Sequence, residues 1–349
     1  MPVDVRPLGK QGLQVPRIGY GAMGATAFYG VEDVAAAEAT ALAAIDKYIE
    51  LCSPQPVHID TALIYAHPSG ATNEALVGKA IAKHGRDKFI IATKFGVNPT
   101  TYAPASKPDE IREQLNISLS RLGTNYIDLY YQHRADPNTP VESVVGTLKE
   151  LVNEGKIKYI GLSECTGDEL RRGFAIHPIT AIQMEYSLQT RDIENTVLPV
   201  ARELGVGIVA YSPLGRGFLS ATFTKPTDLH ETDWRRTQPR FNSENFDKNY
   251  EAITKFNALA AKYNCTPAQL ALAWLLSRGD DIFPIPGTKT AARLEENVKA
   301  MDVVKTLTKE QLEEVSMVVP EATGERYAGM RGTWNSRDNT SSTNTSSGH

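Results

Sequence analysis

The chain has 349 residues, a net charge of −4 and a charged fraction of 22% with both signs interspersed, which excludes a basic-stripe nucleic-acid binder. No apolar run approaches the roughly 18 residues of a membrane span, so no membrane partner is expected. The length suggests two average domains but also fits one α/β barrel, and no second domain boundary is visible.

In chain order, the first fifteen residues with Lys10-Gln11-Gly12 predict a short hairpin capping one end of the fold. Short β-type runs then alternate with helical stretches. The runs are 17–21, 57–61, 89–95, 126–133, 159–164, 181–186, 207–212 and 282–286. Several are almost continuously apolar, as parallel strands covered on both faces must be. Between them, 31–50 is Ala-rich with acidic residues at its start. Asn73 is placed to cap 73–83, and Gly85 to stop it. The stretch 107–122 opens on Pro108-Asp109-Glu110 and ends at Gly123, while 141–154 and 192–204 end at Gly155 and Gly205. Eight such repeats predict a closed (β/α)8 TIM barrel over residues 1–334. Residues 215–248 form a long polar and aromatic connection, and such loops are usually functional. Residues 335–349, nearly all Ser, Thr, Asn and Gly, predict a disordered tail. Three scattered cysteines, Cys52, Cys165 and Cys265, lack metal-ligand spacing, so no metal is expected. With no basic-then-apolar leader at Met1-Pro2-Val3-Asp4, they fit reduced thiols in the cytoplasm.

A barrel carries its chemistry where strands end. The second run ends in Asp60-Thr61-Ala62 with Tyr65 just beyond, the third in Thr93-Lys94-Phe95, and the fourth in Tyr131-Gln132-His133-Arg134. Singly, each polar residue is as readily a helix cap, a satisfied core group or amphipathic surface. Together they compose a proton relay. Tyr65 is the acid, the Lys94 ammonium lowers its pKa, Asp60 holds that ammonium, and His133 orients a carbonyl oxygen. No Gly-x-Gly-x-x-Gly follows a strand, which argues against an open dinucleotide-binding sheet. Instead Gly287-Thr288-Lys289 leads into Arg293 through Asn297, a helix start suited to phosphate. Lys289 and Arg293, four apart, are expected on one helical face as a clamp for a 2′-phosphate.

These blocks resemble the signature segments of aldo-keto reductases, and the resemblance runs from about residue 6 to about residue 330. It is closest to the bacterial, fungal and plant branch that includes perakine reductase and pyridoxal-reductase-like enzymes. The resemblance implies NADPH as cofactor and a small aldehyde or ketone as substrate, in a monomer or weak homo-oligomer. It implies that Thr288, Lys289 and Arg293 bind the adenosine 2′-phosphate and that Glu296 and Asn297 hold the adenine. Ser163 and Gln183 would hold the nicotinamide carboxamide. Tyr211, followed by Ser212, would stack on the ring, and Leu214, Gly215 and Gly217 would lie along the pyrophosphate. Glu164 departs from the family's usual asparagine, and Ala66-His67 follow Tyr65 where glycine is common. Phe28, Tyr29, Trp234 and Phe241 are candidate walls of the substrate pocket. The alternative implied by the same fold is a regulatory subunit like those of potassium channels; the intact catalytic four and the absence of a docking segment argue against it. A barrel hydrolase or isomerase using Asp60 and His133 leaves the phosphate cluster without a purpose.

Overall fold

A computed structural model describes residues 3–328. Eight strands follow one another round a single sheet: β1 (Tyr20–Gly21), β2 (Val57–Asp60), β3 (Phe89–Val97), β4 (Ile127–Gln132), β5 (Ile157–Ser163), β6 (Ala181–Glu185), β7 (Gly207–Tyr211) and β8 (Ile282–Pro284). Each pairs in parallel with the next. The ring closes between β8 and β1. There Gly19 N–H donates to the Pro284 carbonyl at 2.9 Å, Gly21 N–H donates to Pro286 at 3.3 Å, and Gly21 bridges Gly287 in parallel. Sequence-predicted strand bounds lie within three residues of those observed.

The seam explains two glycines. A Cβ on Gly21 would sit 2.6 Å from the Ile285 carbonyl oxygen, and one on Gly19 would sit 2.8 Å from the His58 ring. Only glycine lets these backbones approach closely enough to exchange hydrogen bonds.

The outer layer comprises α1 (Val34–Cys52), α2 (Asn73–His84), α3 (Pro108–Leu122), α4 (Val141–Asn153), α5 (Gly167–Ile176), α6 (Val197–Leu204), α7 (Ser243–Lys262), α8 (Pro267–Ser277), α9 (Ala291–Val298), α10 (Ala300–Thr306) and α11 (Lys309–Val318). Their ends obey local chemistry. Thr166, Thr266 and Thr308 form capping boxes, and Gly123 and Gly205 end α3 and α6 in the left-handed conformation. One cap differs from expectation. Thr72, not Asn73, caps α2 through its hydroxyl, which frees the Asn73 side chain for the interior.

An antiparallel hairpin, Val5–Leu8 with Leu13–Pro16, closes the barrel floor. Its Leu8, Leu13 and Val15 pack with Ile90, Ala92, Leu129, Val209 and Phe283 in the inner core. Val57, Ile59, Phe89, Ile91 and Tyr130 belong instead to the larger core between sheet and helices. This alternation has period two. It fixes the inward parity of each strand: 58 and 60 on β2, 90, 92 and 94 on β3, 129 and 131 on β4.

The connection from 215 to 248 folds as short 3-10 turns, among them Gly215–Ser220, Trp234–Thr237 and Pro239–Phe241, before α7 begins. Phe241 is a correction: it packs with Phe218 in the loop's own buried aromatic cluster, at 4.7 Å between centroids, and is not a pocket wall. The Ser/Thr/Asn-rich stretch 335–349 lies outside the described residues. Among those described, no helix is long and apolar enough to cross a membrane.

The seam predicts opposite outcomes for two glycine-to-alanine changes. Gly21→Ala should cost about 1–3 kcal/mol by overpacking. Gly146→Ala, on α4 with no atom near its Cβ, should stabilise by up to about 1 kcal/mol. Urea unfolding of the two variants checks both signs, and equal effects would show that the seam is not tightly packed.

Candidate active site

Strand parity carries Asp60, Lys94 and His133 inward at neighbouring strand ends. Tyr65 arrives from the loop after β2, and that loop is fastened to the barrel by Asn73. Thr61 Oγ1 donates to Asn73 Oδ1 at 2.6 Å, the Asn73 amide donates to the Ala22 carbonyl at 2.7 Å, and Asn73 N–H donates to the Tyr65 carbonyl at 2.8 Å. Asn73 therefore positions the loop from behind rather than capping a helix.

The four side chains come together. Lys94 has no exposed surface; its Nζ donates to Asp60 Oδ1 at 2.5 Å and to the Thr61 carbonyl at 2.8 Å. The other carboxylate oxygen of Asp60 accepts from Gln183 Nε2 at 2.7 Å. Lys94 Nζ lies 5.1 Å from the Tyr65 ring centroid, and the Tyr65 and His133 rings meet edge to face at 5.7 Å. His133 Nδ1 is buried without a hydrogen-bond partner among the described residues.

Electrostatics correct one expectation. Burial, reinforced by Asp60 and opposed by Arg134, pushes the Tyr65 phenol up rather than down. The Lys94 charge is spent on Asp60 and the Thr61 carbonyl, and burial lowers the ammonium's own pKa. The phenol thus stays protonated, as a proton donor must. Burial, aided by the Arg134 and Lys94 charges, holds the His133 imidazole neutral, well below its ordinary range.

The residues expected on the cofactor side divide into two groups. Ser163 and Gln183 sit opposite each other on β5 and β6, both inward and buried. Tyr211 ends β7; Ser212, Gly215 and Gly217 after it take φ of 49°, 57° and 105° around Leu214. Just past β8, the strand paired with β7, Thr288 is buried and its carbonyl accepts from the Tyr20 hydroxyl at 3.0 Å. Arg293 is exposed on α9, with Glu296 and the buried Asn297 following. Lys289 is a correction. Thr290 caps α9 through a bond from Arg293 N–H, so the helix begins at Ala291 and Lys289 precedes it. Lys289 and Arg293 do not share a helical face; Lys289 Nζ instead donates to the Tyr29 carbonyl at 3.0 Å.

Aromatic side chains roof the site. Phe28 meets Tyr65 edge to face at 6.2 Å and Trp234 at 6.5 Å. Tyr29 packs its ring under the Arg235 guanidinium, and its backbone bridges Asp233. Four residues outside the sequence prediction complete the rim: Glu185, Arg216, Arg326 and Tyr327. Arg216 lies 5.2 Å from the Trp234 centroid and 4.7 Å from that of Tyr327, and it pairs with Glu185 at 2.7 Å. Burial would raise the Glu185 carboxyl, but Arg216, Arg240 and Arg326 overcome this and hold it at about 2. Strand parity could have found Glu185, two residues past Gln183. Nothing in the sequence marks Tyr327.

The closed parallel barrel thus gathers a buried Asp–Lys pair, a protonated tyrosine and a neutral histidine at one rim. The aldo/keto reductase family pattern matches residues 17–319. The chain is 44% identical to a probable aldo-keto reductase 1 of Glycine max over 325 residues, 92% of this chain and 90% of that protein. It is 42% identical to aldo-keto reductase str7 of Strobilurus tenacellus, over 95% and 96% of the two chains. Among solved structures it resembles the thermostable aldo-keto reductase Tm1743 in complex with the inhibitor epalrestat (TM-score 0.70, 28% identity, 90% of this chain, 99% of that one). It also resembles glycerol dehydrogenase AKR11B4 of Gluconobacter oxydans (TM-score 0.74, 27% identity, 90% and 94%). The chain belongs to the aldo/keto reductase family, and its activity is that of an oxidoreductase on small carbonyl compounds.

Beneath Asp60, the inward His58 is fully buried, and burial lowers its pKa to about 4. The unfolded chain binds this proton near pH 6.5 and the folded protein only near 4, so stability is complete above the first value and falls between the two. The expected loss is roughly 3 kcal/mol across that window. His58→Asn should flatten the slope of unfolding free energy against pH there, and an unchanged slope would assign the acid sensitivity elsewhere.

Proposed function

We propose that the protein reduces aldehydes and ketones to alcohols with NADPH, Tyr65 supplying the proton. The convergence of Asp60, Lys94, Tyr65 and His133 at one rim carries this reading. The phenol is protonated, the Lys94 ammonium lies close enough to stabilise the tyrosinate left behind, and Asp60 holds that ammonium in place. Neutral His133, with a buried ring nitrogen unsatisfied, orients the carbonyl oxygen toward Tyr65. Phe28 and Trp234 exclude water from above.

Several features suit the chain to NADPH. Arg293 is exposed at the start of α9 and makes no ion pair among the described residues; Lys289 and Thr288 flank it. A free guanidinium at a helix N-terminus favours a phosphate monoester. Glu296 and Asn297 would hold the adenine, Leu214, Gly215 and Gly217 would follow the pyrophosphate, and Ser163 and Gln183 would take the carboxamide, with Tyr211 and Ser212 under the ring. When bound, the reduced nicotinamide supplies hydride to the carbonyl carbon. Glu164 takes no part in holding the carboxamide, because its carboxylate is committed to neighbouring groups. The reading includes a cytoplasmic enzyme working as a monomer or weak homo-oligomer, which its three free thiols suit.

Tyr65→Phe should lower kcat on an aromatic aldehyde by about 100-fold or more while NADPH still binds, followed by loss of reduced-nicotinamide absorbance. Turnover that survives removes Tyr65 as the donor. NADPH binding without turnover of any carbonyl by the unaltered protein points to a regulatory subunit. Arg293→Ala should weaken NADPH by about tenfold and leave NADH unaffected; equal dissociation constants for variant and parent remove the 2′-phosphate assignment.

A further inference from the structure

Residue 164 breaks the expected pattern, and the structure gives its side chain other work. Glu164 directly follows the last residue of β5 and has φ 52°, a left-handed conformation uncommon for a residue with a side chain. Its N–H donates to the Gln183 carbonyl at 3.1 Å. Its carboxylate, almost fully buried, accepts from Glu185 N–H at 3.1 Å and from the Tyr211 hydroxyl at 2.9 Å. Arg326, from the segment after α11, sets a guanidinium 3.4 Å from the same carboxylate.

The next residue completes the arrangement. Tyr327 Oη lies 3.0 Å from Tyr211 Oη, and Arg134 Nη2 donates to it at 3.4 Å. Arg134 also donates to the His133 carbonyl at 2.6 Å. Burial, and then the adjacent Glu164 charge, push the Tyr211 phenol far up, so it remains the donor to that carboxylate. The ring of Tyr211 is therefore tied down at its far end rather than left to rotate or slide.

We propose that Glu164, held by Arg326, is a positioning residue that fixes the Tyr211 ring as the platform for the nicotinamide, with Tyr327 completing the clasp. This rests on the cofactor reading given above. An asparagine at this position carries no charge for Arg326 to pair with, so the clasp is a property of the glutamate. The 321–328 segment thereby becomes part of the cofactor site although it lies far along the chain from the strands that build it.

The test is a double-mutant cycle on NADPH dissociation constants, read by nucleotide fluorescence without substrate. Tyr211→Phe keeps the ring and removes one oxygen, and should weaken NADPH by about tenfold. Glu164→Ala should weaken it similarly, Glu164→Gln, which keeps an acceptor for the Tyr211 hydroxyl but lacks the charge that pairs with Arg326, should recover only part of the loss, and the Tyr211→Phe/Glu164→Ala pair should be no weaker than either alone. Multiplicative effects in the pair, or binding unaltered by Tyr211→Phe, overturn the proposal. Tyr211→Phe decides alone if Glu164→Ala does not fold. If the unaltered protein does not bind NADPH, the cofactor reading fails and takes this inference with it; if it binds and the variants bind equally, only this inference fails.

Discussion

An ammonium with no exposed surface is tolerable inside a barrel only when its charge is matched at contact distance and most of its protons are directed. Lys94 meets the first demand through Asp60, and directs two of its three protons to Asp60 and the Thr61 carbonyl. Leaving either ion of such a pair alone typically costs about 3–5 kcal/mol. The pair is thus a poor way to make a barrel stable and a good way to hold an electric field in one direction. Much of the surrounding structure serves this pair. Gln183 takes the second oxygen of Asp60, and Asn73 fastens the loop that brings Tyr65 beside the ammonium.

The same arrangement fixes where protons sit at rest. Deep burial favours the neutral phenol and the neutral imidazole, so at rest the phenolic proton stays on Tyr65 and His133 carries one ring proton rather than two. On the proposed reading the ammonium acts after the proton has left, when a phenolate would otherwise be stranded in a low-dielectric site. A site arranged this way differs from one with a pre-ionised tyrosine, and it follows from burial outweighing a charge that is already engaged elsewhere.

Most of the fold could be read from the sequence because short, almost continuously apolar runs, glycine stops and a Pro-Asp-Glu start such as 108–110 are local signals. The meeting of Asp60, Lys94, Tyr65 and His133 could be read because they fall at strand ends or just beyond them. What escaped was set by distant contacts. Asn73 looked like a cap because asparagine commonly is one, and only the neighbouring Thr72 hydroxyl displaced it. Lys289 and Arg293 have helical spacing, but Thr290 starts the helix between them. Phe241 reads like any loop aromatic until Phe218 and Phe246 are seen beside it. Tyr327 meets Tyr211 across 116 positions of chain, a separation over which no spacing rule operates.

The alternation along β2, β3 and β4 bears on how such a chain can change length. One residue inserted within any of these strands before its polar end would turn that end outward, replacing Asp60, Lys94 or His133 at the rim by a neighbour that now faces the helices. A two-residue insertion restores the facing but lifts the group about 7 Å along the strand. Neither can be absorbed gradually. A change of length is therefore tolerable only in the connections, such as the 215–248 segment with its own aromatic core, and the strands are left as a fixed ruler against which the rim groups are placed.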